Sequence, residues 1–352
     1  MITSLKNLNL ACVASALPEK TLDLASLGAE FGEEQVRRII ESTGISRVRV
    51  APAGVCASDL CQAAAEHLFR GFRISPTSVD AIVFVSQTPD WRLPATSPSL
   101  QQRLGLRKDI LAFDINYGCS GFVYGLLQAS LLINAAECGR VLVCVGDVTT
   151  PLIHPRDKAL RFVFGDAGSA TLVEPGPDTW SFTVGTDGEG GPSLIVPAGG
   201  CRTPATAESA TATEREDGNV RSDNDLYMNG MDIMQFSLRE VPPAVEAVLE
   251  EAGWEHHDVD LYGMHQANQF ILQYVAKKMN VPLEKVPIAM QRTGNVGPAS
   301  IPLMLSMEHE RLAAEGRLRR AVLCGFGVGF SWAAMTCSFE YTKILDPVEL
   351  TS

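Results

Sequence analysis

One cysteine in the sequence has the surroundings expected of a nucleophile. Cys119 lies in the stretch Asn116-Tyr-Gly-Cys-Ser-Gly, between an apolar run at 110–115 and a predicted helix at 122–137. Its small neighbours allow a sharp turn and let a substrate approach the sulfur closely. A thiol at a helix N-terminus lies at the positive end of the helix dipole, which favours the thiolate. Cys119 is therefore a candidate nucleophile, with a structural cysteine in a glycine-rich turn as the alternative.

Two further residues could work with this cysteine. His265 ends the predicted strand 259–264, and strand ends in parallel α/β sheets are where sites collect. Asn295, in Gly294-Asn-Val-Gly-Pro, begins a predicted helix. Each has a simpler interpretation, His265 as a hydrogen-bonded structural residue and Asn295 as a helix N-cap. They form a candidate site because Asn295 and Cys119 occupy corresponding helix starts in two similar parts of the chain.

That similarity predicts an internal duplication. Residues 119–147 and 295–327 each read as a turn of small residues, a helix and a strand, and similar segments at 79–84 and 259–264 precede them. We therefore predict an α/β fold of two halves, 1–175 with the nucleophile and 176–352 with the histidine and asparagine. Chance similarity between two βαβ units is the alternative.

The elements that position these residues follow from the alternation of short apolar runs with longer helical stretches. The pattern predicts strands at 81–86, 140–145 and 320–324, and helices at 58–70, 122–137, 241–252, 270–279 and 301–315. Residues 199–225, rich in Ala, Thr, Glu and Arg, are predicted to form a mobile surface loop or partial lid.

Composition excludes several classes of protein. The chain has 352 residues, 46% hydrophobic and 20% charged, which is typical of a globular α/β protein and long enough for two halves. A net charge of −12 without a basic run argues against nucleic-acid binding. No stretch reaches the roughly 20 apolar residues of a membrane helix, and residues 8–17 are predicted to form an opening strand and not a signal sequence.

The nine cysteines show no C-x-x-C pair and no metal-ligand spacing. Eight of them are predicted to be reduced structural thiols, which indicates a cytoplasmic protein without a metal site. The run Gly325-Phe-Gly-Val-Gly follows a strand but lacks the spacing of a dinucleotide loop. We interpret it as a tight turn that brings backbone N–H groups to an oxyanion, and Gly165-Asp-Ala-Gly as a packing turn.

With these motifs and the segments 42–45, 164–168 and 327–332, the chain resembles the β-ketoacyl-acyl carrier protein synthase III ketosynthases of the thiolase superfamily over nearly its whole length. The resemblance implies a five-layered αβαβα thiolase fold, a homodimer and a decarboxylative Claisen condensation without a bound cofactor. Cys119 would take an acyl group from acyl-CoA or an acyl carrier protein. His265 and Asn295 would hold the carbonyl of a malonyl-carrier protein and stabilise its enolate.

The resemblance also implies supporting residues. Backbone N–H groups of Cys119 and Val328 would hold the acyl oxyanion, Leu93 and Phe326 would line the acyl pocket, and Lys277 and Lys278 would dock the carrier protein. Leu93 stands where the family has a phenylalanine contributed by the partner subunit.

The chain also departs from the family pattern. Where the family places a tryptophan and arginines around the adenine of coenzyme A, it has Arg38, Ser42 and Lys158, and Phe270 replaces a docking arginine. These departures favour a carrier-protein donor and a specialised relative rather than the general initiator of fatty acid synthesis. The expected role is therefore in fatty acid biosynthesis or in specialised acyl or polyketide biosynthesis.

Three alternatives stay open at this point. An acyltransferase on the same fold would pass the Cys119 acyl group to an alcohol or amine, with His265 as general base. A papain-like hydrolase has the same chain order of Cys, His and Asn, but it has a different sequence around its cysteine and usually carries disulfides. An inert subunit that supports an active ketosynthase would be expected to lack one of the three residues.

Overall fold

The computed structural model describes residues 1–351. Its strands, from the amino end, are β1 (Ile2–Pro18), β2 (Thr21–Asp23), β3 (Arg47–Arg49), β4 (Ala81–Val85), β5 (Leu111–Ile115), β6 (Val141–Asp147), β7 (Ala167–Thr186), β8 (Leu194–Ile195), β9 (Thr213–Glu214), β10 (Val220–Arg221), β11 (Tyr227–Met228), β12 (Leu261–Met264), β13 (Ala321–Gly327), β14 (Ser331–Cys337), β15 (Lys343–Ile344) and β16 (Val348–Leu350). Its α-helices are α1 (Gly28–Phe31), α2 (Glu33–Thr43), α3 (Ala57–Phe72), α4 (Ser97–Arg103), α5 (Gly121–Ala135), α6 (Lys158–Arg161), α7 (Gly230–Ala252), α8 (Gln269–Lys278) and α9 (Ser300–Ala314).

Two long strands, β1 and β7, connect the two ends of the main sheet. The main hydrogen-bonded order is β12-β13-β14-β7-β6-β4-β5. The first part of β7, 167–173, pairs with β6, and its last part, 182–186, pairs with β14. β1 lies antiparallel along β7 in both parts. The predicted boundary at residue 175 falls inside β7, between these two parts, and the division into duplicated halves stays a prediction.

The alternation of side chains along the strands separates the core into layers. In β4, Val83 belongs to a central cluster with residues of α5 and α9, whereas Ile82 packs with α3 and α4. In β13, Leu323 belongs to the same central cluster, whereas Val322 packs with α7 and α8. Helices, sheet, helices, sheet and helices therefore follow one another. The predicted five-layered αβαβα architecture is confirmed.

The central helix α5 is apolar around most of its circumference because sheets cover it on two sides. A Cβ atom on Gly121 would lie 2.6 Å from Cγ1 of Val85, and one on Gly125 would lie 2.8 Å from Cγ1 of Val143. These two glycines therefore let α5 pack closely on β4 and β6. The close packing fixes the start of the helix, where Cys119 is found.

Most predicted elements are confirmed to within two residues, and the opening strand predicted at 8–17 lies inside the longer β1, which begins six residues earlier at Ile2. The start of α7 differs, because the helix begins at Gly230 and not at 241. Proline is favoured in the first turn of a helix and disfavoured in its interior, so Pro242 and Pro243 are compatible with a start at 241. In the structure both prolines lie inside the helix, and burial of Ile233 and Phe236 extends it towards the amino end.

The segment 199–225 contains more structure than a plain surface loop. β9 and β10 form a short hairpin in it. Asn219 Oδ1 accepts a hydrogen bond of 3.1 Å from the Lys158 N–H, and Arg221 lies 3.3 Å from the Asp157 carboxylate. The hairpin is thereby attached to the start of α6, while residues 201–208 are exposed. The predicted mobility of the segment stays a prediction.

Every helix within residues 1–351 is too short or too polar to cross a membrane.

Candidate active site

The structure brings Cys119, His265 and Asn295 to one cavity. Cys119 lies just before α5, His265 directly follows β12, and Asn295 lies in the loop before α9. All three line a cavity of about 60 Å³, called the first cavity below, together with Phe326 and Gly327. Cys119 therefore meets residues that lie 146 and 176 positions further along the chain, because strand ends and helix starts converge at this cavity.

The glycine run 325–329 packs directly on the cysteine. A Cβ atom on Gly327 would lie 2.6 Å from Cys119 Sγ, and one on Gly325 would lie 2.8 Å from the Cys119 carbonyl oxygen. Ser331 Oγ donates a hydrogen bond of 2.8 Å to the Val328 carbonyl and lies 2.7 Å from Ser120 Oγ, which ties this turn to the start of α5. The glycine run therefore packs against Cys119 and is not a dinucleotide loop.

Burial dominates the acidity of the nucleophile. It raises the pKa of the Cys119 thiol to about 11, although the backbone N–H groups of Val328 and Cys119 lower it in part. The expectation that the helix N-terminus favours a thiolate is therefore wrong for the free protein. The thiol is neutral at pH 7 and must lose its proton during the reaction.

His265 is buried and neutral. Its Nδ1 lies 2.8 Å from Ser300 Oγ at the start of α9, and this hydroxyl also accepts a hydrogen bond of 3.3 Å from the Gln266 N–H. Burial lowers the pKa of His265 to about 3, although the Gly297 backbone raises it in part. Because a hydroxyl can donate to Nδ1 or accept from it, Ser300 supports both neutral tautomers of the imidazole.

The residues after His265 hold its backbone in place. Gln266 is buried, and its Oε1 accepts a hydrogen bond of 2.8 Å from the Ala289 N–H while its Nε2 donates to the Met264 carbonyl at 2.9 Å. Asn268 is the N-cap of α8, with its Oδ1 accepting from the Ile271 N–H at 2.8 Å. The motif His265-Gln-Ala-Asn therefore combines a functional side chain with two that fix the turn between β12 and α8.

Asn295 presents its amide nitrogen to the first cavity. Its Oδ1 accepts a hydrogen bond of 3.1 Å from the Gly297 N–H, so the oxygen is occupied. Its Nδ2 has no hydrogen-bond partner among residues 1–351 and is available to donate.

A Cβ atom on Gly165 would lie 2.1 Å from the Thr293 carbonyl oxygen, so the turn 165–168 packs closely on the asparagine loop. This close approach confirms the packing role predicted for the turn 165–168.

A second cavity, of about 290 Å³, adjoins Cys119. Its apolar wall includes Leu152, Leu194 and Leu226, and its polar wall includes Gln87 and Asp147. Four hydrogen bonds of 2.7–3.2 Å from Ser86, Gln87 and Thr88 reach Asp147 Oδ1. Burial raises the pKa of this carboxyl to about 6. Cys119 therefore lines both cavities.

The supporting residues predicted from the resemblance lie in separate places. Phe326 lines the first cavity, with its ring edge-on to His265 at 5.6 Å between centroids, and Val328 lines the second. Leu93 is 86% exposed, and Lys277 and Lys278 are exposed in the last turn of α8. None of these five placements by itself tests the predicted roles.

Sequence reasoning missed Ser300, Asp147 and Gln87. Asp147 ends β6 and could have been noticed as a polar strand end, by the argument that identified His265. Ser300 carries no comparable signal, because its contact with His265 depends on how α9 packs against β12. No group of three His, Cys, Asp or Glu side chains within residues 1–351 could hold a metal ion.

The acidity of Cys119 can be measured directly. Because the thiolate fraction grows tenfold per pH unit below the pKa, we expect alkylation of Cys119 by iodoacetamide to rise steadily from pH 6 to 9. A small model thiol with an ordinary pKa of about 8.5 should level off above pH 9. Peptide mass spectrometry after timed labelling follows Cys119 separately from the other cysteines. A plateau between pH 7 and 8 would contradict the neutral buried thiol.

Comparison with known proteins identifies the relatives of the chain. The family model of 3-oxoacyl-[acyl-carrier-protein] synthase III matches residues 113–188, and the model of its C-terminal part matches residues 249–339. The β-ketoacyl-[acyl-carrier-protein] synthase III 3 of Streptomyces coelicolor is 33% identical over 96% of this chain and 95% of the relative.

Two solved structures extend the comparison. A 3-oxoacyl-(acyl-carrier protein) synthase from Burkholderia xenovorans LB400 is 38% identical, covers 99% of both chains and superposes with a TM-score of 0.92. The priming β-ketosynthase of the R1128 polyketide biosynthetic pathway is 25% identical, covers 97% of this chain and 98% of its own, and has a TM-score of 0.78. The resemblance predicted from the sequence motifs is confirmed.

Proposed function

This chain belongs to the 3-oxoacyl-[acyl-carrier-protein] synthase III family, and we propose that it joins an acyl group to a malonyl-type thioester with loss of carbon dioxide. The acyl group is carried on Cys119. The reaction serves fatty acid biosynthesis or the biosynthesis of specialised acyl or polyketide products. The observation that carries this proposal is the meeting of a neutral thiol, a neutral imidazole and a free amide N–H₂ at one cavity.

The first half-reaction transfers the acyl group. His265 Nε2 takes the proton from Cys119, and the sulfur attacks the thioester carbonyl of the donor. The bond between the acyl carbon and the donor sulfur breaks, and the protonated His265 gives its proton to the leaving thiolate, which departs as a thiol. His265 is neutral at pH 7 because burial lowers its pKa, so a ring nitrogen is free to accept the proton.

The second half-reaction forms the carbon–carbon bond. The malonyl group loses carbon dioxide, and its electron pair passes into an enolate. His265, in the tautomer with hydrogen on Nε2, and Asn295 Nδ2 both donate to the enolate oxygen. The enolate carbon attacks the acyl carbonyl, and the Cys119 thiolate leaves and is protonated from water. Neutral donors suit this step because they stabilise the enolate without transferring a proton to its carbon.

Backbone N–H groups complete the proposed machinery. Those of Cys119 and Val328 lower the pKa of the sulfur, so both are close to the reacting centre. We assign them to the oxyanion that forms when the acyl carbonyl becomes tetrahedral. The glycines at 325 and 327 permit this arrangement, because a side chain at either position would overlap Cys119 or Ser120.

The proposal is tested by following both half-reactions. Acyl donors are mixed with the protein and the mass of the Cys119 peptide is measured. Malonyl-carrier protein is then added and the release of carbon dioxide is recorded. We expect an acyl adduct first and carbon dioxide together with a 3-oxoacyl product second. An adduct that passes to an alcohol or amine without carbon dioxide would instead establish the acyltransferase alternative, and no adduct from any donor would support an inert subunit.

Ser300 is a positioning residue for His265. We expect Ser300→Ala to lower the rate of condensation about tenfold, because the loss of one buried hydrogen bond leaves Nδ1 unpaired. Ser300→Thr retains a hydroxyl and should restore most of the rate. The two variants are compared by turnover, with thermal unfolding measured in parallel. Equal losses in both variants at unchanged stability would remove the hydroxyl from the mechanism.

We assign the docking of the carrier protein to the exposed end of α8. Lys277 and Lys278 lie there, on the same helix as the exposed ring pair Phe270 and Tyr274, whose centroids are 4.5 Å apart. Ala267 and Asn268, at the start of this helix, line the first cavity. The helix therefore connects the cavity to a basic and aromatic surface on a chain of net charge −12.

Reversing this charge should weaken recognition of the carrier. We expect Lys277→Glu combined with Lys278→Glu to raise the KM for malonyl-carrier protein about tenfold while kcat is kept, since charges at the rim of an interface act mainly on encounter. Lys108→Glu, at an exposed position outside α8, is the matched control. An unchanged KM in the double variant would place carrier docking elsewhere.

The donor of the acyl group is proposed to be a carrier protein, with acyl-CoA as the alternative. Arg38 lies 2.9 Å from Glu34 and is largely exposed, while Ser42 Oγ donates to the Ile39 carbonyl at 3.0 Å. Neither these two residues nor Lys158 offers an aromatic ring on which adenine could stack.

We also place the enzyme in the cytoplasm, because all nine cysteines are unpaired, as expected in a reducing compartment.

A homodimer is proposed from the open edge of β5. This strand pairs with β4 and with no other strand of residues 1–351, and its Leu111 is 47% exposed. The nearby loop exposes 53% of Trp91 and 86% of Leu93, and it is joined to β5 by a 2.6 Å hydrogen bond from the Thr96 N–H to Asp114. A second copy would cover this edge and bring its Leu93 to the second cavity. Sedimentation should show a dimer, and a monomer at micromolar concentration would contradict this assembly.

A further inference from the structure

The second cavity contains hydrogen-bonding groups that the proposed reaction does not use. Gln87 and Asn116 both line it. Neither side-chain amide has a hydrogen-bond partner among residues 1–351. The same cavity is also lined by the apolar side chains of Leu152, Leu194 and Leu226. A cavity with both polar and apolar lining fits a ligand that has both characters.

Gln87 lies close to the nucleophile because residue 118 is glycine and has no side chain. A Cβ atom on Gly118 would lie 2.4 Å from Gln87 Oε1 and 2.7 Å from Val328 Cγ1. The amide of Gln87 therefore lies across the residue directly before Cys119, in space that any other residue at position 118 would fill. The amide is therefore placed beside the sulfur that would carry an acyl group in the second cavity.

Asp147 provides a buried acceptor in the same cavity. The residue is 4% exposed, and all four of its side-chain hydrogen bonds go to Oδ1. Its Oδ2 has no partner among residues 1–351 and lies beside Gly297, where a Cβ atom would approach to 2.9 Å. No salt bridge joins it to an arginine or lysine of residues 1–351. Because Asp147 lines the second cavity, this free oxygen is available to accept a hydrogen bond from a ligand there.

We propose that the second cavity selects an acyl group bearing a hydroxyl group, an inference that rests on the proposed function of Cys119 as acyl carrier. The hydroxyl donates to Asp147 Oδ2 and accepts from the amide N–H₂ of Gln87 or Asn116, while the carbon chain contacts the leucine wall. A plain alkyl chain of equal length leaves these groups unpaired. A chain ending in a carboxylate meets the charge of Asp147 and is disfavoured.

The test compares acyl groups of one chain length. Butyryl, succinyl and the 2-, 3- and 4-hydroxybutyryl groups are supplied as thioesters of coenzyme A and of one acyl carrier protein, and the initial rate of acyl mass gain on Cys119 is measured. We expect one hydroxybutyryl group to react about tenfold faster than butyryl, the equivalent of roughly 1.4 kcal/mol of hydrogen bonding. Succinyl should react more slowly than butyryl.

The possible outcomes separate this inference from the proposed function. Butyryl reacting as fast as every hydroxybutyryl group would overturn the selection for a hydroxyl and leave the acyl carrier role intact. No adduct from any of the five groups would overturn both.

Variants locate the selectivity. Gln87→Leu has similar volume and no amide, so we expect the ratio of hydroxybutyryl to butyryl rates to fall about fivefold. Gln235→Leu, at an exposed position on α7 that lines neither cavity, should keep the parental ratio. An unchanged ratio in Gln87→Leu would remove Gln87 from the selection.

Discussion

Replacing Cys119 by alanine is expected to abolish the acyl adduct and to lower the rate of condensation by at least about a thousandfold, the scale of losing a covalent nucleophile. Cys119 lines both cavities, in contact with the turn at Gly327, and none of the other eight cysteines lines either cavity. No second thiol can therefore take its place. Intact-mass measurement after mixing with an acyl donor, together with turnover, checks this result.

The same variant should keep part of the chemistry. His265 and Asn295 are unchanged in Cys119→Ala, so slow loss of carbon dioxide from a malonyl thioester should persist without formation of a carbon–carbon bond. Cys201→Ala is the matched control, because Cys201 is exposed and lines neither cavity. This variant should acylate normally. Full turnover by Cys119→Ala would overturn the assignment of the nucleophile, whatever its effect on stability.

The Asn295→Asp variant is expected to show the opposite behaviour, with the acyl adduct formed and condensation lowered by more than about a hundredfold. Aspartate keeps the Oδ1 acceptor that holds the Gly297 N–H at 3.1 Å, so the loop should retain its shape. It replaces the free N–H₂ with a second oxygen, however, and that oxygen repels the enolate. The change therefore acts on the charge that develops after the malonyl group loses carbon dioxide.

Carbon dioxide release and acyl mass are measured on the same sample to separate the two half-reactions. Asn229→Asp is a suitable control, because Asn229 is the N-cap of α7 and aspartate caps a helix equally well. It adds the same charge without removing a donor from the first cavity. Loss of the adduct in Asn295→Asp, with carbon dioxide release intact, would reverse the roles proposed for the two half-reactions.

The triad and the fold could be predicted from the sequence because both follow from local patterns. Cys119 and Asn295 precede apolar helices, His265 ends an apolar strand, and each signal lies within a few residues of the side chain concerned. The alternation in strands such as β4 places neighbouring residues in different layers, which makes a layered α/β fold predictable.

The remaining parts of the site depend on contacts between distant segments. The acidity of Cys119 was expected to increase at a helix start, but burial between the sheets raises its pKa, and burial is a property of the assembled fold. Gln87 reaches the cysteine because residue 118, on another strand-to-helix connection, is glycine. Ser300 meets His265 across 35 positions. No window of sequence contains both members of such pairs.

The long strand β1 has a consequence for how the chain reaches its native state. It pairs with β7, as in the contact of Ser15 with Ser169 across 154 residues, and it lies beside β15, where Thr342 donates to the Leu10 carbonyl across 332 residues. A ribosome makes β1 before any of these neighbours. The edges of β1 therefore stay unpaired until β7 and β15 have been synthesised. Pairing between segments so distant in sequence slows folding. A chaperone that shields an apolar strand during synthesis would act on this segment, because β1 is made long before its neighbours β7 and β15.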